Sequence, residues 1–177
     1  MAIQDIVKVP SSVLTAKSTN AKIDDETKKL AQDLIETVDA QTNPKGAGLA
    51  APQIGVNKRV CVVKKFTPDP GNPENELETN FILINPEIIS ASEAKGLGWE
   101  GCLSIPDTYG EVLRSKRVKV RSLDLNGGEF VLKAEGFFAR VIQHEVDHLD
   151  GILFTSKVVG KTYTEKELDE MDRLEEE

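Results

Sequence analysis

A chain of 177 residues, 39% hydrophobic and 29% charged, has room for one domain with a real core, and its composition is neither disordered nor fibrous. Its 22 Lys and Arg against 30 Asp and Glu give a net charge of -8, which excludes nucleic-acid binding through a global positive field and leaves only a local basic patch. No stretch approaches the ~20 apolar residues of a membrane span, the start "MAIQDIVKVPSSVL" carries no secretory pattern, and two cysteines are too few for a disulfide scaffold, so the cytoplasm is the expected compartment.

In chain order, "IDDETKKLAQDLIETVDA" repeats Leu30, Leu34 and Val38 at four-residue spacing behind Asp24 and Asp25, which predicts an amphipathic helix with a favourable acidic start. "TNPKGAGLAAPQIG" is punctuated by Pro44, Gly46, Gly48, Pro52 and Gly55 and predicts a structured loop. "KRVCVVKK" and "NFILINPEII" predict strands, with Cys61 as buried packing. Between them, "FTPDPGNPENELET", about 66–79, predicts a surface loop because of its prolines and carboxylates. "RVKVRSLDL" and "EFVLKAE" flank Asn126, Gly127 and Gly128, a hairpin signal. Residues 136–150 predict a helix striped by Phe138, Val141, Ile142 and Val146 and ended by Gly151. Thr164 and Glu167 have capping-box spacing for a last helix, "TEKELDEMDRLEEE". The outline is α+β: a single domain over 1–177, with 160–177 an acidic C-terminal helix or tail.

Both histidines of the chain, His144 and His148, fall in "QHEVDHLDG". Residues four apart on a helix share a face, so the two imidazoles can reach one metal ion, and Glu145 can address a water there as general base. Two histidines scattered over such a chain fall four apart in only about 1% of placements, so metal binding outweighs coincidence. A catalytic site normally needs a third protein ligand. The metzincin pattern fails, because Phe154 stands where its third histidine belongs. A glutamate about twenty residues on, Glu165 or Glu167, fits a thermolysin-like site only weakly, in a segment where glutamate is common at any offset. Cys102, in "WEGCLSIPD", is the better candidate: a thiolate beside two imidazoles suits Zn or Fe(II). A nucleophilic Cys102 and a merely buried thiol remain open alternatives. "GAGLAAPQ" lacks the third glycine of a dinucleotide-binding turn, since Ala51 occupies it. Its small residues suggest close backbone approach, with Gln53 as an oxyanion-stabilising donor or simply a turn cap.

"GAGLAAPQ" (46–53), "EGCLS" (100–104) and "QHEVDH" (143–148) together resemble the peptide deformylase family, in this order and at similar separations. The resemblance spans most of the chain. It implies antiparallel β-sheets packed around a central helix carrying the HExxH motif, with an N-terminal and a C-terminal helix. It also implies hydrolysis of the N-formyl group from the initiator methionine of nascent polypeptides, releasing formate, a step in protein biosynthesis. By the same resemblance Cys102, His144 and His148 are the metal ligands and Glu145 the general acid/base. Gln53 and the Leu103 backbone N–H are the oxyanion partners. Gly46, Ala47 and Gly48 contact the substrate backbone, and Arg140 and Val141 shape the methionine pocket. The implied cofactor is one divalent ion, Fe(II) in the cell, with Zn, Ni or Co acceptable to the same donors. A monomer without membrane partners is expected. Some members end in a basic helix that contacts the ribosome, whereas this chain ends "DEMDRLEEE", so any approach to the exit region is not expected through that helix. On the residues alone, a zinc endopeptidase with a carboxylate third ligand and a non-catalytic metal-stabilised binding module stay open.

Overall fold

Asp24 begins the first regular element: its carboxylate accepts the Thr27 N–H at 2.8 Å and caps α1, Asp25–Asp39. The computed structural model describes residues 3–175; Met1, Ala2, Glu176 and Glu177, the outermost residues of the expected 1–177 unit and its acidic tail, lie outside the described residues. Leu30, Leu34 and Val38 are buried on one face of α1. They join a cluster with Leu49, Val60, Val62 and Ile84. Burying each such side chain contributes about 1.5–3 kcal/mol.

The architecture of the described residues is α+β, with antiparallel sheets and three α-helices. Five strands, β1 (Gly48–Ala50), β2 (Val60–Asp69), β3 (Asn72–Ala91), β6 (Arg117–Leu123) and β7 (Glu129–Glu135), lie in the order β1-β2-β3-β6-β7. A separate two-stranded sheet pairs β4 (Lys95–Cys102) with β5 (Ile105–Ser115).

Two expectations change here. The Gly- and Pro-punctuated stretch expected as a loop contains β1, paired with Cys61–Val63 of β2, and then a 3-10 turn at Ala51–Ile54. Its Leu49, Ala50 and Ala51 are fully buried. Flanking small residues let this backbone run along the edge of β2, so the pairing comes from the neighbour rather than from local propensity. The supposed surface loop at 66–79 is instead the far end of a ribbon in which β2 and β3 stay paired, Thr67 opposite Leu77 and Pro68 opposite Glu76, turning only between Asp69 and Asn72. Most of its residues are exposed, so no alternation betrays the strands, and Pro68 sits at the register shift, where sheets tolerate proline.

Asp124 builds the β6–β7 turn by accepting the N–H groups of Asn126 and Gly128 at 2.8 Å, with Gly127 at φ +84. After β7 comes α2, Gly136–Leu149, whose Phe138, Ala139, Ile142, Val146 and Leu149 pack on Val63, Leu83, Val118 and Val120 of the large sheet. Gly151, at φ +73, follows its end, and a Cβ there would stand 2.5 Å from the Thr15 carbonyl oxygen. The C-terminal segment then returns along β5, with bridges Val112 to Val158 and Tyr109 to Tyr163. Helix α3, Glu165–Glu175, opens with the expected box: Thr164 N–H donates to Glu167 Oε2 at 2.8 Å, and Glu167 N–H to Thr164 Oγ1 at 3.3 Å. No helix among the described residues is long and apolar enough to cross a membrane.

Candidate active site

Helix α2 holds the predicted pair one turn apart, and the end of β4 brings a sulfur to them. His148 Nε2 lies 3.2 Å from His144 Nε2 and 3.3 Å from Cys102 Sγ. The ligand atoms of Cys102, His144 and His148 all fall within 4.8 Å of one another, the one such group among the described residues. Three lone-pair donors gathered this closely, one sulfur and two imidazole nitrogens, suit a transition-metal ion. The electrostatics agree. Burial opposes a charge on His144, yet contacts with Cys102 and Glu100 outweigh it and push its pKa up to about 10, marking a place that favours a cation. Burial, with the His144 charge, takes His148 well below the usual imidazole range. The carboxylate alternatives for a third ligand, Glu165 and Glu167, are not in the group, and Glu167 is engaged with Thr164.

Behind the trio is a buried ionic network. His144 Nδ1 is 2.9 Å from Glu100 Oε2, which fixes the ring and leaves Nε2 facing the other donors. Glu100 accepts a fork of two bonds from Arg114, each 2.9 Å, and one from Arg140 Nη1 at 2.8 Å. Burial works against its charge, but Arg114 and His144 hold its carboxyl far below the ordinary carboxylate range. Arg114 also donates to Asp147 of α2, whose other oxygen takes Lys157 Nζ at 2.7 Å.

Glu145 lies on the cleft side of the pair. Burial raises its pKa to about 7, and Oε2 has no hydrogen-bond partner among the described residues. A group so tuned accepts and returns protons near neutrality. Gly48 makes room for it: a Cβ at position 48 would stand 2.6 Å from Glu145 Oε1. Gln53, buried in the 3-10 turn, has its Oε1 pinned by the Ala50 N–H at 2.8 Å, which turns Nε2 toward Cys102 Sγ at 3.6 Å and Ser104 Oγ at 3.3 Å. The amide can then donate into the cleft.

This cleft, about 470 Å³, is lined by every residue expected from the sequence except His148, which is buried behind it. Gly46, Ala47, Gly48 and Gln53 form one wall, Cys102 and Leu103 another, and Arg140, Val141, His144 and Glu145 the floor from α2. Arg140, expected to shape the methionine pocket, spends its guanidinium on the carbonyls of Gly96, Gly98 and Val112 and on Glu100. Leu103 offers its carbonyl to Lys8 Nζ. Sequence reasoning missed Glu100, Arg114 and the aromatic wall of Trp99, Tyr109 and Phe137. Glu100 was visible only as a neighbour of Cys102; the signal that singles it out is Arg114 across the β4–β5 pair, which no local pattern shows.

The chain matches a family model described as polypeptide deformylase over residues 3–163. It is 44% identical over 173 residues to peptide deformylase 1 of Bacillus subtilis (strain 168), covering 97% of this chain and 99% of that relative. With peptide deformylase of Thermomicrobium roseum it shares 46% identity over 166 residues, 92% of this chain and 89% of the relative. A Met-Ala-Ser-bound crystal structure of class I type b peptide deformylase from Acinetobacter baumannii superposes with a TM-score of 0.77 at 35% identity, covering 89% of this chain and 99% of that one. Peptide deformylase from Thermotoga maritima gives a TM-score of 0.77 at 34% identity, covering 90% and 100%.

Proposed function

We propose how this chain works from one premise: it belongs to the peptide deformylase family, and it is a hydrolase that removes the N-formyl group from nascent polypeptides. The observation that carries the site assignment is the convergence of Cys102, His144 and His148 within 4.8 Å beside a buried carboxylate, Glu145. Cys102, His144 and His148 are the metal ligands, with Glu100 orienting His144. The family is metal-dependent; Fe(II) is our assignment in the cell, and Zn, Ni or Co suit the same donors. When bound, the ion supplies Lewis acidity, polarising the formyl carbonyl and acidifying water.

Glu145 takes the proton of the attacking water as that water adds to the formyl carbon. Negative charge grows on the formyl oxygen, where the Gln53 amide and the Leu103 N–H donate hydrogen bonds. Glu145 then returns the proton to the departing methionine nitrogen as the C–N bond breaks, so one water and one formamide become formic acid and an amine, which separate as formate and the protonated amine. Gly46, Ala47 and Gly48 meet the substrate backbone, and Val141 with Phe137 lines the methionine side. Arg140 we assign to holding the β4–β5 pair on α2 rather than to touching substrate, on the strength of its three carbonyl partners.

The reading includes a single catalytic domain in which α2 is the central helix, supported by its packing on strands of both sheets. It includes a monomer acting in the cytoplasm on N-formylmethionyl nascent chains. Any approach to the ribosome exit region is made without α3, whose carboxylates repel rRNA phosphate. Formate release from a formyl-methionyl peptide by anaerobically prepared protein tests the whole. Wild type should release it, and Glu145→Ala should lose at least about a hundredfold in rate while still holding one metal per chain. Metal-loaded wild type that releases no formate would refute the assignment.

A further inference from the structure

Strand β4 is amphipathic the wrong way round. Its inward positions are small or ionic: Gly98, where a Cβ would come 2.8 Å from the Arg140 guanidinium, and Glu100 in the buried network. Its outward positions carry Leu97 and Trp99, 49% and 44% exposed. The register sets Leu97 directly opposite Leu113 of β5, also 49% exposed. Val159, 54% exposed, donates its N–H to the carbonyl of Glu111, the residue opposite Trp99. Single exposed apolar residues are ordinary, but a contiguous group on one sheet face marks a binding surface. It is not adrift from the catalytic cleft. Trp99 is part of the cleft wall and of this face at once, held edge-on by the Tyr163 ring with centroids 5.5 Å apart.

We propose that the outer face of β4 and β5, Leu97, Trp99 and Leu113 with Val159 beside them, binds apolar side chains of the substrate polypeptide downstream of its formylated methionine. The inference rests on the deformylase reading and extends it. That activity acts on the end of a long chain, so everything after the first residues must leave the cleft past its walls. Trp99 is three residues along β4 from Cys102 and Leu97 five. At roughly 3.3 Å per residue, an extended substrate reaches the level of Leu97 about four to six positions after the methionine. An aromatic ring flanked by aliphatic side chains selects apolar residues there, through area removed from water, and discriminates little among them.

The test is a comparison of three substrates: a formyl-methionyl tripeptide, a formylated nonapeptide with leucines at its fifth to seventh positions, and the same nonapeptide with serines there. The leucine peptide should show a KM about tenfold below the serine peptide at similar kcat, the effect of one well-buried aliphatic contact. In the double variant Leu97→Thr, Leu113→Thr that ratio should fall toward one. A KM independent of the leucines in wild type, or a ratio that survives the double substitution, overturns the inference while leaving tripeptide deformylation standing. No turnover of any of the three overturns the parent reading and this one with it. The wild-type series needs no variant, so a double variant that failed to fold would not spare the proposal. Sedimentation equilibrium supplies the rival occupant: a dimer in wild type that the double variant abolishes would assign the face to a second copy of this chain and overturn the substrate role.

Discussion

The two sides of α2 are built on opposite principles. Toward the five-stranded sheet it presents Ile142, Val146 and Leu149 to Val63, Leu83 and Val120, a buried apolar contact. Toward β4 and β5 it presents Arg140, Gln143, His144 and Asp147 to polar partners: the buried Glu100 and Arg114 and the backbone of Gly96, Gly98, Val112 and Ser115. Gln143 alone makes two bonds there, its Oε1 taking the Ser115 N–H at 3.1 Å and its Nε2 donating to the Ser115 carbonyl at 2.9 Å. Apolar contact is tolerant of small shifts and holds the helix in place. Directional ionic contact is intolerant of them, and it sets where Cys102 sits relative to His144 and His148. Stability and metal geometry are thereby lodged on different faces of one helix.

That division can be broken most severely at Glu100. Glu100→Ala removes the carboxylate that Arg114 and Arg140 share, leaving Arg114 with Asp147 alone, and should cost about 3–5 kcal/mol in urea unfolding. It should also weaken metal binding about 10–100-fold in a competition titration; a loss in neither would erase the distinction between the faces. Gly48→Ala acts where the large sheet's edge meets α2, pushing Glu145 aside. A drop of about a hundredfold in kcat/KM, with metal content intact, is expected from displacing the base by part of an ångström. Ile142→Val sharpens the contrast from the apolar side: about 0.5–1.5 kcal/mol of stability lost, with metal affinity equal to wild type by the same titration. Smallest is Thr164→Ala at the start of α3, outside both contacts, where loss of the cap should cost about 0.5–1 kcal/mol of helix stability and leave kcat/KM alone.

Features that a few neighbouring residues dictate are legible in the order of amino acids alone. The acidic start of α1 at Asp24 and Asp25, the hairpin turn at Asn126, Gly127 and Gly128, the Thr164 box and the histidine pair all depend on residues no more than four apart. The α+β outline follows from such local patterns, and the expected cleft residues follow from the three family motifs. What stays hidden depends on distant partners. β4 has glycines and ions turned inward and leucine and tryptophan outward, so its alternation points the wrong way. β1 is a strand because β2 lies beside it, and the outer half of the β2–β3 ribbon has little apolar periodicity to show. Among 30 acidic residues nothing local distinguishes Glu100. Arg140 is expected at the methionine pocket only through the family resemblance; its carbonyl partners on β4 and β5 are invisible without the register.

The β2–β3 ribbon has a practical use. β1 pairs only with Cys61–Val63, and β6 meets β3 only from Ile84 onward, so the ribbon runs out past both neighbours. Its root is tied down by Lys64 between Asp39 and Glu78, and by Phe66 against the cleft residue Phe137 at 6.2 Å. Outward of Thr67 and Leu77 it is a peninsula. A splice at the turn between Asp69 and Asn72 can carry a fluorescent or affinity module at a distance from the chemistry. Trimming two successive cross-strand couples at once, Thr67 with Leu77 and Pro68 with Glu76, keeps the remaining side chains on their own faces, whereas removing one residue from a single strand turns half the ribbon over.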